Sequence, residues 1–319
     1  MAGGASSSAE RLRRLARLAA AAAGALIVAG VQAQSLYKYR GPDGEWVFTD
    51  REPEGVPDAE VRDLPAGQAG PTVIVSHRFE EPGLVMTAES TYHAPVELVL
   101  GIDEISNLLP PERELRWVLP AQGVVELMAL GAGDGTPSIS YRYTWITGEP
   151  GVEHLPERPY RAPFGVASSY RISQAFPDTP THASADSRHA VDFVMPVGTA
   201  VHAARGGTVF QVAANNFRGG LDRERDGPAA NLVRILHDDG TYAEYGHLNR
   251  SSIRVRPGDA VSRGQHIADS GNTGFSSGPH LHFAVIRNLG LRVESVPVVF
   301  EGPNGSEVTP ASGMDLVAY

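Results

Sequence analysis

Gly278-Pro279-His280-Leu281-His282-Phe283, running on into Ala284-Val285-Ile286, is the stretch on which the reading of this chain turns. Two histidines at i and i+2 inside an apolar run predict neighbours on a β-strand, where alternate side chains share a face. His280 and His282 then point into one space, while Leu281 and Phe283 turn toward a core. Two imidazoles on one polar face suit a metal site or acid–base chemistry. Two surface histidines on one strand would give the same pattern, so the neighbouring blocks have to decide.

Upstream, Thr181-His182 precedes Ala190-Val191-Asp192-Phe193-Val194-Met195-Pro196-Val197-Gly198-Thr199. Tyr245-Gly246-His247-Leu248 and Asp269-Ser270-Gly271-Asn272-Thr273-Gly274 follow before the histidine pair. In this order the blocks resemble the lysostaphin-type (LytM-like) zinc metallopeptidases, which cut peptide bonds in bacterial cell-wall peptidoglycan. The resemblance covers about residues 160 to 290. It implies a β-rich peptidase domain, one zinc ion per chain, and peptidoglycan peptides as substrate.

A catalytic zinc usually has three protein ligands and leaves a fourth position for water. In the resembled family these are a His, an Asp on the following strand, and the second His of His-x-His. Carried over, the last two are Asp192 and His282. Asp192 lies in an apolar run, where a lone carboxylate is costly unless paired or metal-bound; a partly exposed edge-strand Asp is the plainer alternative. The most familiar family spacing would put the first His at position 188, where this chain has Arg188. His189 and His182 are the two replacements. On a regular strand, residues 189 and 192 face opposite sides unless a bulge intervenes. His182 lies in a loop-like segment where parity imposes nothing, and it is preferred, with His189 left as a packing residue. The resemblance further implies that His247 and His280 are catalytic rather than ligands. They would hold or remove the proton of the zinc water and stabilise the oxyanion. His202, His237 and His266 match no family role and read as structural, as do His77, His93 and His154.

The 319 residues suffice for two or three domains. With 42% hydrophobic and 20% charged residues the composition is that of a globular chain. Frequent glycine and proline between short apolar runs favour a mainly β design. There is no cysteine, so any metal must be held by His, Asp or Glu. Arg11, Arg13, Arg14 and Arg17, then an uncharged stretch to Val31 and Val31-Gln32-Ala33, read as a signal peptide over residues 1–33. An uncleaved N-terminal membrane anchor is the alternative. The address expected is export, with periplasmic residence inferred from the family. The net charge of −10, about −13 once residues 1–33 are removed, gives no electrostatic case for nucleic acid.

Leu36-Tyr37-Lys38-Tyr39 and Glu45-Trp46-Val47-Phe48 flank the turn sequence Gly41-Pro42-Asp43-Gly44. A small aromatic β-hairpin module with its linker is expected over 34–70. Short strands with turn signals suggest a β-sandwich-like domain over 71–155. Four prolines between Pro150 and Pro163 read as a second linker, followed by the LytM-like domain over 160–300 and a tail over 301–319. Asn231–Leu236 and Tyr242–Tyr245 flank Asp238-Asp239-Gly240, a hairpin signal. Pro257–Gln265 shares a turn pattern with biotinyl and lipoyl carriers. Those need a lysine at a hairpin tip, and the only lysine here is Lys38. The function expected is an exported zinc endopeptidase acting on peptidoglycan. The alternative is a non-catalytic LytM-like regulator of other wall hydrolases, which would then be partners; a third is a wall-binding module led by the aromatic hairpin.

Overall fold

The computed structural model describes residues 35–40, 46–49, 55–56, 59–63, 70–81, 83–111 and 115–319. The expected signal segment, and the turn expected at Gly41–Gly44, lie outside them. Among the described residues no helix is long and apolar enough to cross a membrane. The chain is mainly β and divides into two compact units, Met1–Ala69 and Gly70–Tyr319.

In the first unit, β1 (Ser35–Arg40) pairs antiparallel with β2 (Trp46–Thr49), Arg40 standing opposite Trp46. A third strand, β3 (Glu60–Asp63), adds to the other edge of β1. The linker expected after the hairpin thus contains a strand; four residues with two acids carry no strand periodicity of their own.

The second unit opens with β4 (Val73–Glu80), β5 (Gly83–Ser90), β6 (Val96–Ser106), β7 (Arg116–Leu119), β8 (Val124–Gly131) and β9 (Ser138–Thr147). They form two antiparallel three-stranded sheets, β4-β5-β8 and β7-β6-β9. Leu84, Met86 and Ala88 alternate inward on one, and Val96, Leu98 and Leu100 on the other. The Tyr141 and Tyr143 hydroxyls and the Trp145 indole N–H donate across to Val75, Val73 and Tyr92, so the sheets face each other as a small sandwich.

The remaining strands are β10 (Ser169–Gln174), β11 (Val191–Phe193), β12 (Ala200–His202), β13 (Gly207–Ala213), β14 (Gly219–Gly220), β15 (Leu232–Leu236), β16 (Tyr242–Gly246), β17 (Ala260–Val261), β18 (His266–Asp269), β19 (Gly274–Phe275), β20 (Leu281–Asn288), β21 (Val293–Ser295), β22 (Phe300–Glu301), β23 (Glu307–Val308) and β24 (Asp315–Val317). Nine of them build one sheet in the order β17-β13-β15-β16-β20-β11-β10-β24, with β21 beside β20. β20 is buried on both faces. Leu281, Phe283 and Val285 enter one core with Phe193, Tyr245 and Ile172. Ala284 and Ile286 face the other way and join Ala190, Phe210 and Tyr242 in a core shared with the sandwich. The sandwich therefore covers part of one sheet face. The uncovered part of the same face begins at His282. A buried polar lock holds the seam: the Asn288 side-chain amide donates to Glu97 and to the Gly148 carbonyl, and the Leu291 N–H also donates to Glu97.

Two expected connectors turn out to be structural. Residues 150–163 carry Tyr160 and Ala162 into the first core, with Phe164 just beyond. The expected tail supplies β24, which pairs with β10 and buries Leu316 and Ala318. Neither segment has an alternating pattern, and both acquire their place from partners more than a hundred residues away.

Candidate metal centre

Three adjacent strands carry the centre of the site. Asp192 on β11 stands directly opposite His282 on β20, and His282 stands opposite Gly246 on β16. A Cβ on Gly246 would meet the Cβ of His282 at 3.3 Å, so glycine there leaves the imidazole room. The chain then leaves β16 at His247 with φ 58°, a left-handed conformation uncommon for a non-glycine residue and concentrated at functional sites. His280 precedes β20 and is tied by a bridge to Gly271.

His182 arrives from its loop. Its Nε2 lies 3.1 Å from Asp192 Oδ2, and His282 Nδ1 lies 2.9 Å from Asp192 Oδ1. The two rings meet edge to face at 5.0 Å. One ligand atom from each of His182, Asp192 and His282 falls within 4.8 Å of the others, the only such group among the described residues. Two imidazole nitrogens and a carboxylate are the donor types that zinc takes in catalytic sites, so the residues fit the ion. His182 Nδ1 is buried with no hydrogen-bond partner in the protein. His189 is not part of the group: its ring packs on Phe176 at 4.7 Å.

Two more imidazoles complete the centre. His247 and His280 lie 4.5 Å apart, ring centre to ring centre, and His280 Nε2 is 3.8 Å from Asp192 Oδ2. His247 Nδ1 is bonded to the Thr273 carbonyl at 2.7 Å and His280 Nδ1 to the Gly278 carbonyl at 2.8 Å. A carbonyl only accepts, so each Nδ1 is the protonated nitrogen and each Nε2 is left for the cavity. Burial, and then the nearby His280 and His282, push the His247 pKa down to about 4. Burial alone would raise Asp192, but hydrogen bonds from His182 and His282, and their charge, hold it far below the usual carboxylate range. Burial would lower His282, yet Asp192, with Glu244 and Asp186, keeps it above the ordinary imidazole value.

The five residues open on a cavity of about 690 Å³. Its wall also carries Arg223, together with Gln174, Glu244 and Phe275, which the sequence reading did not single out. Gln174 donates to Asp192 at 2.8 Å. Arg223 lies over the Phe275 ring at 4.7 Å and donates to the Thr181 carbonyl. Glu244 is held by Arg234. These residues are brought in by pairing between distant strands and loops. His202 and His266 stack on each other away from this wall, and His237 is buried elsewhere against the Gly206 carbonyl.

A sheet that gathers these donors on one cavity wall is a candidate metal-binding domain, and residues 186–295 match the family model described as Peptidase family M23. The glycyl-glycine endopeptidase ALE-1 of Staphylococcus capitis is 32% identical over 122 residues, 38% of this chain and 30% of that protein. The peptidoglycan DD-endopeptidase ShyA of Vibrio cholerae serotype O1 is 36% identical over 126 residues, 39% of this chain and 26% of that protein. The chain thus spans under a third of the length of either relative. Among solved structures, the catalytic domain of a mutant of the prophage-encoded M23 protein EnpA from Enterococcus faecalis aligns over 48% of this chain and 93% of that one. The identity is 28% and the TM-score 0.30.

Proposed function

We propose that this chain is an exported, zinc-dependent endopeptidase that hydrolyses peptide bonds in the cross-links or stem peptides of peptidoglycan. In this reading His182, Asp192 and His282 hold one zinc ion, and His247 and His280 are the catalytic residues. What supports it is the convergence of two imidazoles and a carboxylate within 4.8 Å, on a cavity wall that carries two further imidazoles, in a chain whose residues 186–295 match the peptidase M23 family model. Bound there, zinc would supply Lewis acidity and a water that ionises near neutrality.

The side chains provide the rest. Asp192 contributes the negative charge a dication requires and keeps two rings aimed at one point. His247 is neutral near pH 7 and presents an unprotonated Nε2 to the cavity, so it can accept a proton from the attacking water. His280, fixed in the same tautomer by Gly278, offers a second Nε2 beside it. Whichever of the two is protonated can donate to the developing oxyanion and then to the leaving amine. A non-catalytic regulator of other wall hydrolases would tolerate the loss of a donor. All five side chains are present here, so no observation favours that alternative.

Incubating the full chain with purified sacculi, with and without a zinc chelator, tests the reading. The expected outcome is chelator-sensitive release of muropeptides bearing new amino termini, and their identity fixes the bond cut. Intact sacculi in the presence of zinc-loaded protein would make this a binding protein instead. Cleavage unaffected by chelation would remove zinc from the proposal.

A further inference from the structure

The carboxylate and the loop histidine of the proposed metal set come from separate parts of the chain, and one side chain touches both parts. Gln174 donates from Nε2 to Asp192 Oδ2 at 2.8 Å and to Thr181 Oγ1 at 2.9 Å. Its Oε1 accepts from the Thr181 backbone N–H at 3.1 Å and from the Thr181 hydroxyl at 3.0 Å. Thr181 is the residue immediately before His182.

The backbone has been altered to bring this side chain here. β10 and β11 pair Ile172 with Phe193 and Gln174 with Asp192, so β10 carries one residue more than its partner between those pairs. That is the signature of a β-bulge, a feature that re-aims side chains and is over-represented beside active sites. In an unbroken register Ser173 would stand opposite Asp192, and Gln174 would turn into the core alongside Ile172. With the bulge, Ile172 and Ala175 are both buried in the core, while Ser173 and Gln174 both line the cavity. The extra residue also gives the longer amide the position from which it reaches carboxylate and loop together.

We propose that Gln174 is a positioning residue for metal binding. Its amide N–H fixes the rotamer of Asp192, and its carbonyl clamps Thr181, so that the donor atoms of Asp192 and His182 are held in register before the ion arrives. This rests on the reading of His182, Asp192 and His282 as the metal set. Groups that orient ligands from behind in this way typically contribute tenfold to a hundredfold in metal affinity.

The test is the zinc Kd of the full chain, measured by competition with a chromophoric chelator at pH 7, together with the melting temperature of the zinc-stripped protein. Gln174→Ala removes all four hydrogen bonds. Gln174→Leu removes them while keeping the bulk, which guards against a packing defect at this half-buried position. The expected result is a Kd about ten to a hundred times weaker in both variants, with the zinc-free melting temperature unchanged. Zinc binding as tight as in the wild type, in either variant, overturns the inference and leaves the metal reading intact. A zinc-free protein that melts lower in both variants makes Gln174 a residue of the fold and also overturns it. A wild type that binds no zinc fails the metal reading first, and this inference with it.

Discussion

At the scale of single residues, the site separates ligands from proton carriers, and the two should respond differently to substitution. His182→Ala removes a donor from the three-atom group, so zinc is expected to be lost along with cleavage. His247→Ala leaves the group whole, so zinc is retained while cleavage of sacculi falls about a hundredfold to ten-thousandfold. His189→Ala, which removes only a ring packed on Phe176, keeps both. Metal analysis of each purified variant beside a sacculus assay reads all three outcomes. A second residue-scale expectation concerns His237, which is buried far from the cavity and whose pKa is pushed down to about 4, chiefly by burial. The unfolded chain takes up that proton near 6.5 and the folded one only near 4. Between those values the unfolded state binds more protons, so stability is full above about pH 6.5 and is lost as the pH falls toward 4. The loss from this one group runs at up to about 1.4 kcal/mol per pH unit. Urea melts of the wild type and His237→Gln from pH 7.5 to 4.5 should give a shallower fall for the variant. Parallel curves would mean that His237 is not the group responsible.

At the scale of elements, two bulges shape the face that carries the site. The first turns Gln174 toward Asp192. The second lies in β13 between Val209 and Gln211. Val209 and Phe210 alternate into the two cores as in any strand, and the bulge then sets Gln211 opposite Arg234, whose guanidinium donates to it. Phe210 is fully buried and meets Tyr242 edge to face at 5.3 Å, at the seam between the nine-stranded sheet and the sandwich. Phe210→Ala opens a cavity at that seam and should cost about 3–5 kcal/mol in denaturant unfolding. A loss below about 1 kcal/mol would show that the seam closes over the gap. None of this is legible locally. Gly207-Thr208-Val209-Phe210-Gln211-Val212-Ala213 reads as an ordinary apolar strand, and only its partners reveal where the extra residue sits.

At the scale of the whole molecule, the sandwich and the nine-stranded sheet of the Gly70–Tyr319 unit share one hydrophobic core and one buried polar lock, so they are expected to fold as one body. A fragment of residues 70–319 should stay soluble and melt in a single transition. A fragment of residues 156–319 exposes Phe210, Tyr242, Ala284 and Ile286 together, and should aggregate or bind a hydrophobic dye. A well-behaved shorter fragment would count against a shared core. The sequence alone determined the chemistry available here: with no cysteine, donors had to be His, Asp or Glu, and alternation on one strand put His280 and His282 on one face. It also placed Asp192 where a carboxylate needs a partner and pointed to a chain of short strands, because these are properties of spacing and composition. Only the tertiary structure decided which loop histidine meets that carboxylate, that Gln174 ties the two together, that residues 150–163 and 315–317 pack with the nine-stranded sheet, and that the sandwich covers the sheet next to the site. The first two outcomes depend on a loop conformation and a bulge that shifts strand register, the last two on contacts between residues a hundred or more positions apart, and local periodicity encodes neither.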